Sequence, residues 1–325
     1  MLHVILYAIV PIFAIMLLGF FSGKMGAFNG DNAKTFNKLV LNYALPAALF
    51  VSIASASREM LAADLKLTII STVIIMACFM AVYYIYKYCF KTTGAEAAVS
   101  ALISGSPTIG FLGFAVLEPI FGTTPSVALV VAIVGIVVNA IGIPVGLSLL
   151  NASKAKDAAA AGKDATKPNP WKPVLHALAQ PVAWAPILAV IMVLVGIKWP
   201  PELSPSFDLI AKANASVAVF AAGLTLSSVK VSINAQVIWG AILKLFLMPL
   251  ALLAVGIIFK MDPINLKMLV IAGALPPAFS GIMIASENDC YVATGTSSLA
   301  VAVIGFMATC PLWIWLSDVA IKMFY

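Results

Sequence analysis

Apolar residues fall along this chain in ten blocks, each longer than twenty residues, with short polar stretches between them. The blocks are 2–22, 34–55, 66–90, 96–118, 124–150, 173–197, 206–228, 233–259, 264–286 and 291–322. A helix needs about 20 apolar residues to cross the hydrocarbon core of a bilayer. The pattern therefore predicts an all-α polytopic membrane protein with ten transmembrane helices. The longest polar segment, NASKAKDAAAAGKDATKPNPWK at 151–172, reads as a flexible linker. It separates a first five-helix half, 1–150, from a second, 173–325. The apolar start could be mistaken for a signal peptide. It runs on through PIFAIMLLGFFSG to about Ser22 with no good cleavage site, so it predicts a true first span.

Two blocks interrupt their own pattern. SGSPTIGFLG at 104–113 and GALPPAFSG at 273–281 put proline, glycine and hydroxyl residues at membrane depth. Proline lacks an N–H and clashes with the preceding turn, so it breaks a helix locally. Broken backbone at that depth is tolerated only when it is buried in protein or lines a watery cavity. Each break lies in the fourth span of its half. Span 1 (VPIFAIMLLG, 10–19) and span 6 (APILAVIMVLVG, 185–196) also share Pro-Ile-x-Ala and a closing glycine. An odd number of spans per half gives the halves opposite orientations, so the expected architecture is a 5+5 inverted repeat. The two breaks can then face each other near the midplane. Their half-helix N-termini would present N–H groups and partial positive charge to a small carboxylate.

Composition narrows the class. The chain is 62% hydrophobic and 10% charged, against about 25% charged residues in a soluble domain. A cytoplasmic linker puts eleven of the nineteen Lys and Arg residues on the cytoplasmic side and seven on the far side, with Lys244 inside a span. That bias places both termini outside. The net charge of +6 is spread over loops, which argues against a nucleic-acid partner. Cys78, Cys89, Cys290 and Cys310 have neither metal nor disulfide spacing and read as small buried hydrophobes. There is no HExxH, no plausible Ser/His/Asp set and no nucleotide-binding motif, so neither an enzyme nor an ATP-driven pump is expected.

The residues expected to bind substrate are Ser104, Ser106, Pro107, Thr108, Gly110, Pro276, Pro277, Ser280, Asn42, Asn139 and Lys244. The prolines are the helix breakers. The hydroxyls either meet a carboxylate or bond back to carbonyls one turn earlier. Gly105, Gly110, Gly113 and Gly281 chiefly permit close helix crossing. Asn42 and Asn139 read as buried amides that need partners. Lys244, deep in span 8, either attracts an anion or stabilises the protein through backbone carbonyls. Glu118, Glu287 and Asp289 are candidate gates or proton carriers. His3 and His176 are weaker candidates of the same kind.

These residues together resemble the auxin efflux carrier family, which includes bacterial malate and malonate carriers. The resemblance is carried by NKLVLNYALPAALFVSIAS (37–55) with Pro46, SPTIGFLGFAVLEPIFG (106–122), AVFAAGLTLS (218–227), AILKLFLMPLALL (241–253) and GALPPAFSGIMIASEND (273–289). It implies that helices 4 and 9 cross at their prolines beside the substrate and that the chain is a homodimer in the bacterial inner membrane. The implied function is secondary transport of a small organic anion, a dicarboxylate such as malonate or malate, driven by a proton, sodium or substrate gradient. Thr108 stands where the plant pattern has Asn, and Pro277 is an added proline, which turns the expectation toward a smaller acid than an indole carboxylate. The alternatives are a sodium-coupled symporter resembling the bile-acid carriers, or a channel or sensor of the same fold. The cores 104–113 and 273–281 hold no acidic or amide side chain for sodium, which weighs against the symporter.

Overall fold

The computed structural model of the chain describes residues 10–55, 58, 65–160, 175, 179–228 and 231–325. His3, His176 and linker residues 161–172 lie outside the described residues, as does the side chain of Glu287. We number the helices α1 (Val10–Lys24), α2 (30–54), α3 (Leu65–Cys89), α4 (Gly94–Ser104 and Ile109–Phe121), α5 (125–160) and α6 (Pro181–Val195). There follow α7 (Ser204–Ser227), α8 (Ala235–Ile258), α9 (Pro263–Ala274 and Phe279–Glu287) and α10 (Val292–Phe324). Among the described residues, α3, α5, α7, α8 and α10 are long and apolar enough to cross a membrane, while α1, α6, both halves of α4 and the first half of α9 are shorter apolar helices. No strand occurs among these residues.

Three long helices owe their shape to proline. In α2, α5 and α8 a π-helical turn ends just before Pro46, Pro144 and Pro249 respectively. The last N–H before each proline reaches back five residues: Leu45 to Val40, Ile143 to Val138, and Met248 to Leu243. A proline ring crowds the carbonyl four residues behind it and offers no N–H. One wide turn relieves both problems without ending the helix. Asn42, Asn139 and Lys244 all sit in these turns.

The interior is made of broken pieces. The first half of α4, the first half of α9 from Leu266, and α5 from Val127 to Gly135 are largely or wholly buried. The α4 half starts on a reciprocal cap in which Thr93 accepts from the Glu96 N–H and Glu96 returns a bond to Thr93. Elsewhere α1 and α7 pack backbone to backbone through Gly19 and Gly223. α5 runs on to Ala160, ten residues beyond its expected end. The first part of the expected linker is thus helical, as its Ala and Lys content favours. Cys89 is exposed rather than buried, because it ends α3 at the surface.

Candidate functional site: two helix breaks sharing one ladder

Each break creates orphans. An α-helical N–H bonds the carbonyl four residues back. Pro107 has none to give Ile103, and Pro276 and Pro277 have none for Ala272 and Gly273. The chain is fully buried across both breaks, where an unpaired carbonyl costs about 1–3 kcal/mol. The two breaks therefore supply one another. Thr108 N–H donates to the Pro276 carbonyl at 2.9 Å. Ala278 N–H donates to the carbonyls of Ser106 at 3.0 Å and Ile103 at 3.3 Å. The Ile103 oxygen is the acceptor that Pro107 leaves empty. Pro107 and Pro277 stand opposite each other as an isolated antiparallel bridge.

The second break has a further supplier. Lys244 is fully buried and its Nζ donates to the Gly273 carbonyl at 2.6 Å. The ammonium thus fills the place of the missing Pro277 N–H. Its other neighbour is the Met248 sulfur at 3.1 Å.

Beside the ladder lies a cavity of about 20 Å³, lined by Pro107, Thr108, Ile109, Gly110, Asn139, Phe279 and Ser280 among others. That volume is room for about one water. The first turns of both second half-helices, at Ile109 and at Phe279, open on it, so two positive dipole ends converge there. Thr108 is the residue before the α4 second half, a position where Thr normally caps the helix with its hydroxyl. Here it makes no such cap. Its Oγ1 is buried with no hydrogen-bond partner among the described residues. Asn139 donates from Nδ2 to the Gly135 carbonyl at 2.8 Å, which aligns the amide on the cavity wall.

The structure thus brings Pro107, Thr108, Gly110, Asn139 and Ser280 around one space, with Pro276 and Pro277 forming the paired backbone beside it. Four expected residues stand elsewhere. The Ser104 hydroxyl lies near Gly240 on α8, close to the Tyr86 hydroxyl. The Ser106 hydroxyl lies toward Gly142 on α5. Lys244 is held behind α9 by Gly273. Asn42 is exposed, not buried. Successive helical residues point about 100° apart, and in α2 it is Leu41 that reaches the cavity. Asp289 is exposed at φ +46°.

A second cavity, of about 440 Å³, lies between α2, α4 and α7. Ala48, Phe114, Glu118, Asp208, Lys212 and Asn214 line it. Asn214 is 1% exposed, and both its Oδ1 and Nδ2 lack partners among the described residues. The sequence reading passed over Asn214. An amide following Lys212 in an otherwise apolar span was the available signal. Phe114 stands one turn beyond Gly110, so the two cavities lie along the same side of α4.

Membrane-spanning helices, a buried pair of helix breaks and an unsatisfied polar lining define a membrane transport protein. The sequence pattern of the family described as "Membrane transport protein" matches residues 4–314, and the chain belongs to that family. It is 57% identical over 310 residues to the "Uncharacterized transporter YfdV" of Escherichia coli (strain K12), covering 95% of this chain and 96% of that one. It is 24% identical over 309 residues to a protein of Rhizobium meliloti (strain 1021) named "Putative malonate transporter", covering 93% and 92%. The chain is accordingly a multi-pass membrane transporter and not an enzyme.

Proposed function

We propose that the chain is a secondary carrier of a small organic anion, a dicarboxylate of the malonate type, working by alternating access. The observation that carries this reading is the small cavity where two half-helix N-termini meet the unpaired Thr108 hydroxyl. Both features favour a carboxylate, and the Thr108 hydroxyl has no partner among the described residues. The Rhizobium meliloti relative's name supports malonate as the first substrate to test. The inverted 5+5 arrangement with crossing helices 4 and 9, a homodimer in the inner membrane, outside termini and a cytoplasmic linker belong to the same reading. In it the 440 Å³ cavity, with Lys212 and Asn214, is a vestibule on the side away from the linker. A cavity of one water's size holds no dicarboxylate, so substrate binding must draw the half-helices apart from α2 and α5.

Thermal unfolding of the purified protein tests this directly. Malonate at 100 times its dissociation constant should stabilise the protein by about 2.7 kcal/mol. Thr108→Val removes the hydroxyl at nearly constant shape. A hydrogen bond to a charged group contributes about 1.5–3 kcal/mol, so the variant should bind malonate roughly ten to a hundred times more weakly. Absence of a shift with any small mono- or dicarboxylate would overturn the reading.

Pro107→Ala tests the need for the break. Alanine removes a helix penalty of about 3 kcal/mol. Continuing the helix would sacrifice the Thr108–Pro276 and Ala278–Ser106 bonds, each contributing about 1 kcal/mol net. Stranding the buried Pro276 carbonyl and Ala278 N–H, at about 1–3 kcal/mol each, is of the same size as that relief, so straight and broken helices should become comparably populated and malonate uptake should fall several-fold with expression unchanged. Uptake at the wild-type rate would show that the break is dispensable.

A further inference from the structure

We propose that the 440 Å³ cavity admits a dicarboxylic acid in its singly charged form, with Asn214 pairing the protonated carboxyl and Lys212 the ionised one. The inference rests on the carrier reading above and names the species carried.

The cavity is walled by Asp208, Lys212 and Asn214 of α7, Phe114 and Glu118 of α4, and Ala48 of α2, among others. Its volume falls within the range of about 300–1,000 Å³ usual for small-molecule sites. Asn214 sits in the first turn of the helical stretch Ala213–Ser227 and is 1% exposed. Its Oδ1 and Nδ2 both lack partners among the described residues. Buried polar atoms are paired as a rule, so this amide is left for something that enters. The two free atoms say what that is. A primary amide holds a donor and an acceptor side by side. Its complement is a group that accepts and donates along one edge. A protonated carboxyl does so, because its carbonyl oxygen takes Nδ2–H while its O–H donates to Oδ1. A carboxylate only accepts. It would satisfy Nδ2 and leave Oδ1 buried, unpaired and facing negative charge.

The charges around the amide select in the same direction. Among the described residues, the titratable groups lining the cavity are Glu118 from α4 and Asp208 and Lys212 from α7, while α2 offers the uncharged Ala48. Lys212 stands in no ion pair among the described residues, so its ammonium can receive a solute carboxylate. Two carboxylates against one ammonium leave the lining with one negative charge in excess. A singly charged solute can settle on Lys212. A doubly charged one must put its second carboxylate beside Glu118 or Asp208, where like charges repel. The same repulsion acts inside the solute. Two carboxyls close together hold the second proton above the usual carboxyl range of about 4, which keeps the singly charged form available in mildly acidic water. The cavity lies along the same side of α4 as the Thr108 cavity, so it sorts solutes before they reach the helix breaks. A site built to hydrogen-bond a group rejects analogues that lack it far more strongly than an apolar pocket rejects a change of shape.

Dissociation constants from thermal shifts of the purified protein test the proposal with malonate, malonamate and monomethyl malonate. Malonamate carries one carboxylate and an amide, which donates and accepts at any pH. The ester carries the same single charge, but its other end only accepts. At about pH 8, where malonate is doubly charged, malonamate should bind at least tenfold more tightly than malonate or the ester. Lowering the pH to about 5 should tighten malonate at least tenfold and leave malonamate within threefold, which removes titration of Glu118 and Asp208 as the cause. Asn214→Leu keeps the shape and loses both polar atoms, so it should bring malonamate and the ester within threefold of each other. Malonamate binding no tighter than malonate or the ester at about pH 8 would overturn the proposal. So would a preference for malonamate over the ester that survives Asn214→Leu. The wild-type comparison decides the matter even where the leucine variant fails to fold. In either of these failures the acids still bind, and the carrier reading stands. A protein shifted by none of the three probes at either pH would sink the carrier reading and this one together.

Discussion

Gly281→Val should reduce malonate uptake to below about a hundredth of the wild-type rate while leaving a folded, extractable protein. A Cβ at position 281 would lie 2.6 Å from the Leu102 oxygen, 2.7 Å from the Leu102 carbonyl carbon and 2.8 Å from the Ile103 nitrogen. All three atoms are backbone, so no side-chain rotamer elsewhere can make room. Carbon needs about 3.5 Å from such neighbours, which forces the second half of α9 away from α4 by nearly 1 Å. The bonds from Ala278 to Ser106 and Ile103, at 3.0 and 3.3 Å, are three residues away and would pass out of range. Their loss strands the buried Ala278 N–H and the Ser106 and Ile103 carbonyls at about 1–3 kcal/mol each. Together these amount to roughly 3 kcal/mol or more, which is about two orders of magnitude in the population of the paired state. Gly281→Ala carries the same Cβ and should show a smaller loss of the same kind. Wild-type uptake by the valine variant would mean that α9 does not sit on α4 at this distance.

The sequence revealed the breaks but not what they do for each other. Pro107, Pro276 and Pro277 act through a missing N–H and a steric clash, both local, so their positions could be read from the chain alone. Which carbonyl takes which donor is a long-range matter. Nothing near Ile103 in sequence points to Ala278. Lys244 was legible as an intramembrane cation with two candidate roles. Its bond to Gly273 was deducible in part, because Pro277 leaves that carbonyl open at a fixed offset of four. Asn42 shows the opposite limit. Lipid and protein interior are equally apolar, so the hydrophobic pattern of a span does not say which side of the helix faces inward. The exposed Asn42 and the buried Asn139 occur in similar apolar contexts. The apparent match of Gly19 with Gly196 also dissolves. Gly19 packs against α7 in mid-helix, whereas Gly196 ends α6 at φ +88°.

Gly223→Val should fail at an earlier stage than Gly281→Val, by loss of folded protein. A Cβ at Gly223 would run into the Met16 carbonyl of α1, with the Phe20 nitrogen at 3.0 Å. A Cβ at Gly19 would meet the Phe220 carbonyl in return, with the Leu224 nitrogen at 3.1 Å. The two glycines face each other's backbones, so α1 and α7 touch main chain to main chain over about one turn. Lipid offers no hydrophobic drive to hold helices together. Close approach through small residues is what makes this pair stick, and dispersion falls steeply once it is opened. Overpacking of this kind costs about 1–3 kcal/mol where side chains can shift, and here only the helices can. The cost should lie at or above the top of that range, a large part of a total stability of about 5–15 kcal/mol. Size-exclusion profiles after detergent extraction should therefore show the monodisperse peak of Gly223→Val reduced several-fold, with Gly281→Val close to wild type. That contrast separates a rigid α1–α7 pair from the α4–α9 ladder, as the proposed alternating access requires of a fixed frame and a moving core. If both variants lost the peak equally, the two contacts would form one cooperative unit, and the division into frame and core would fail.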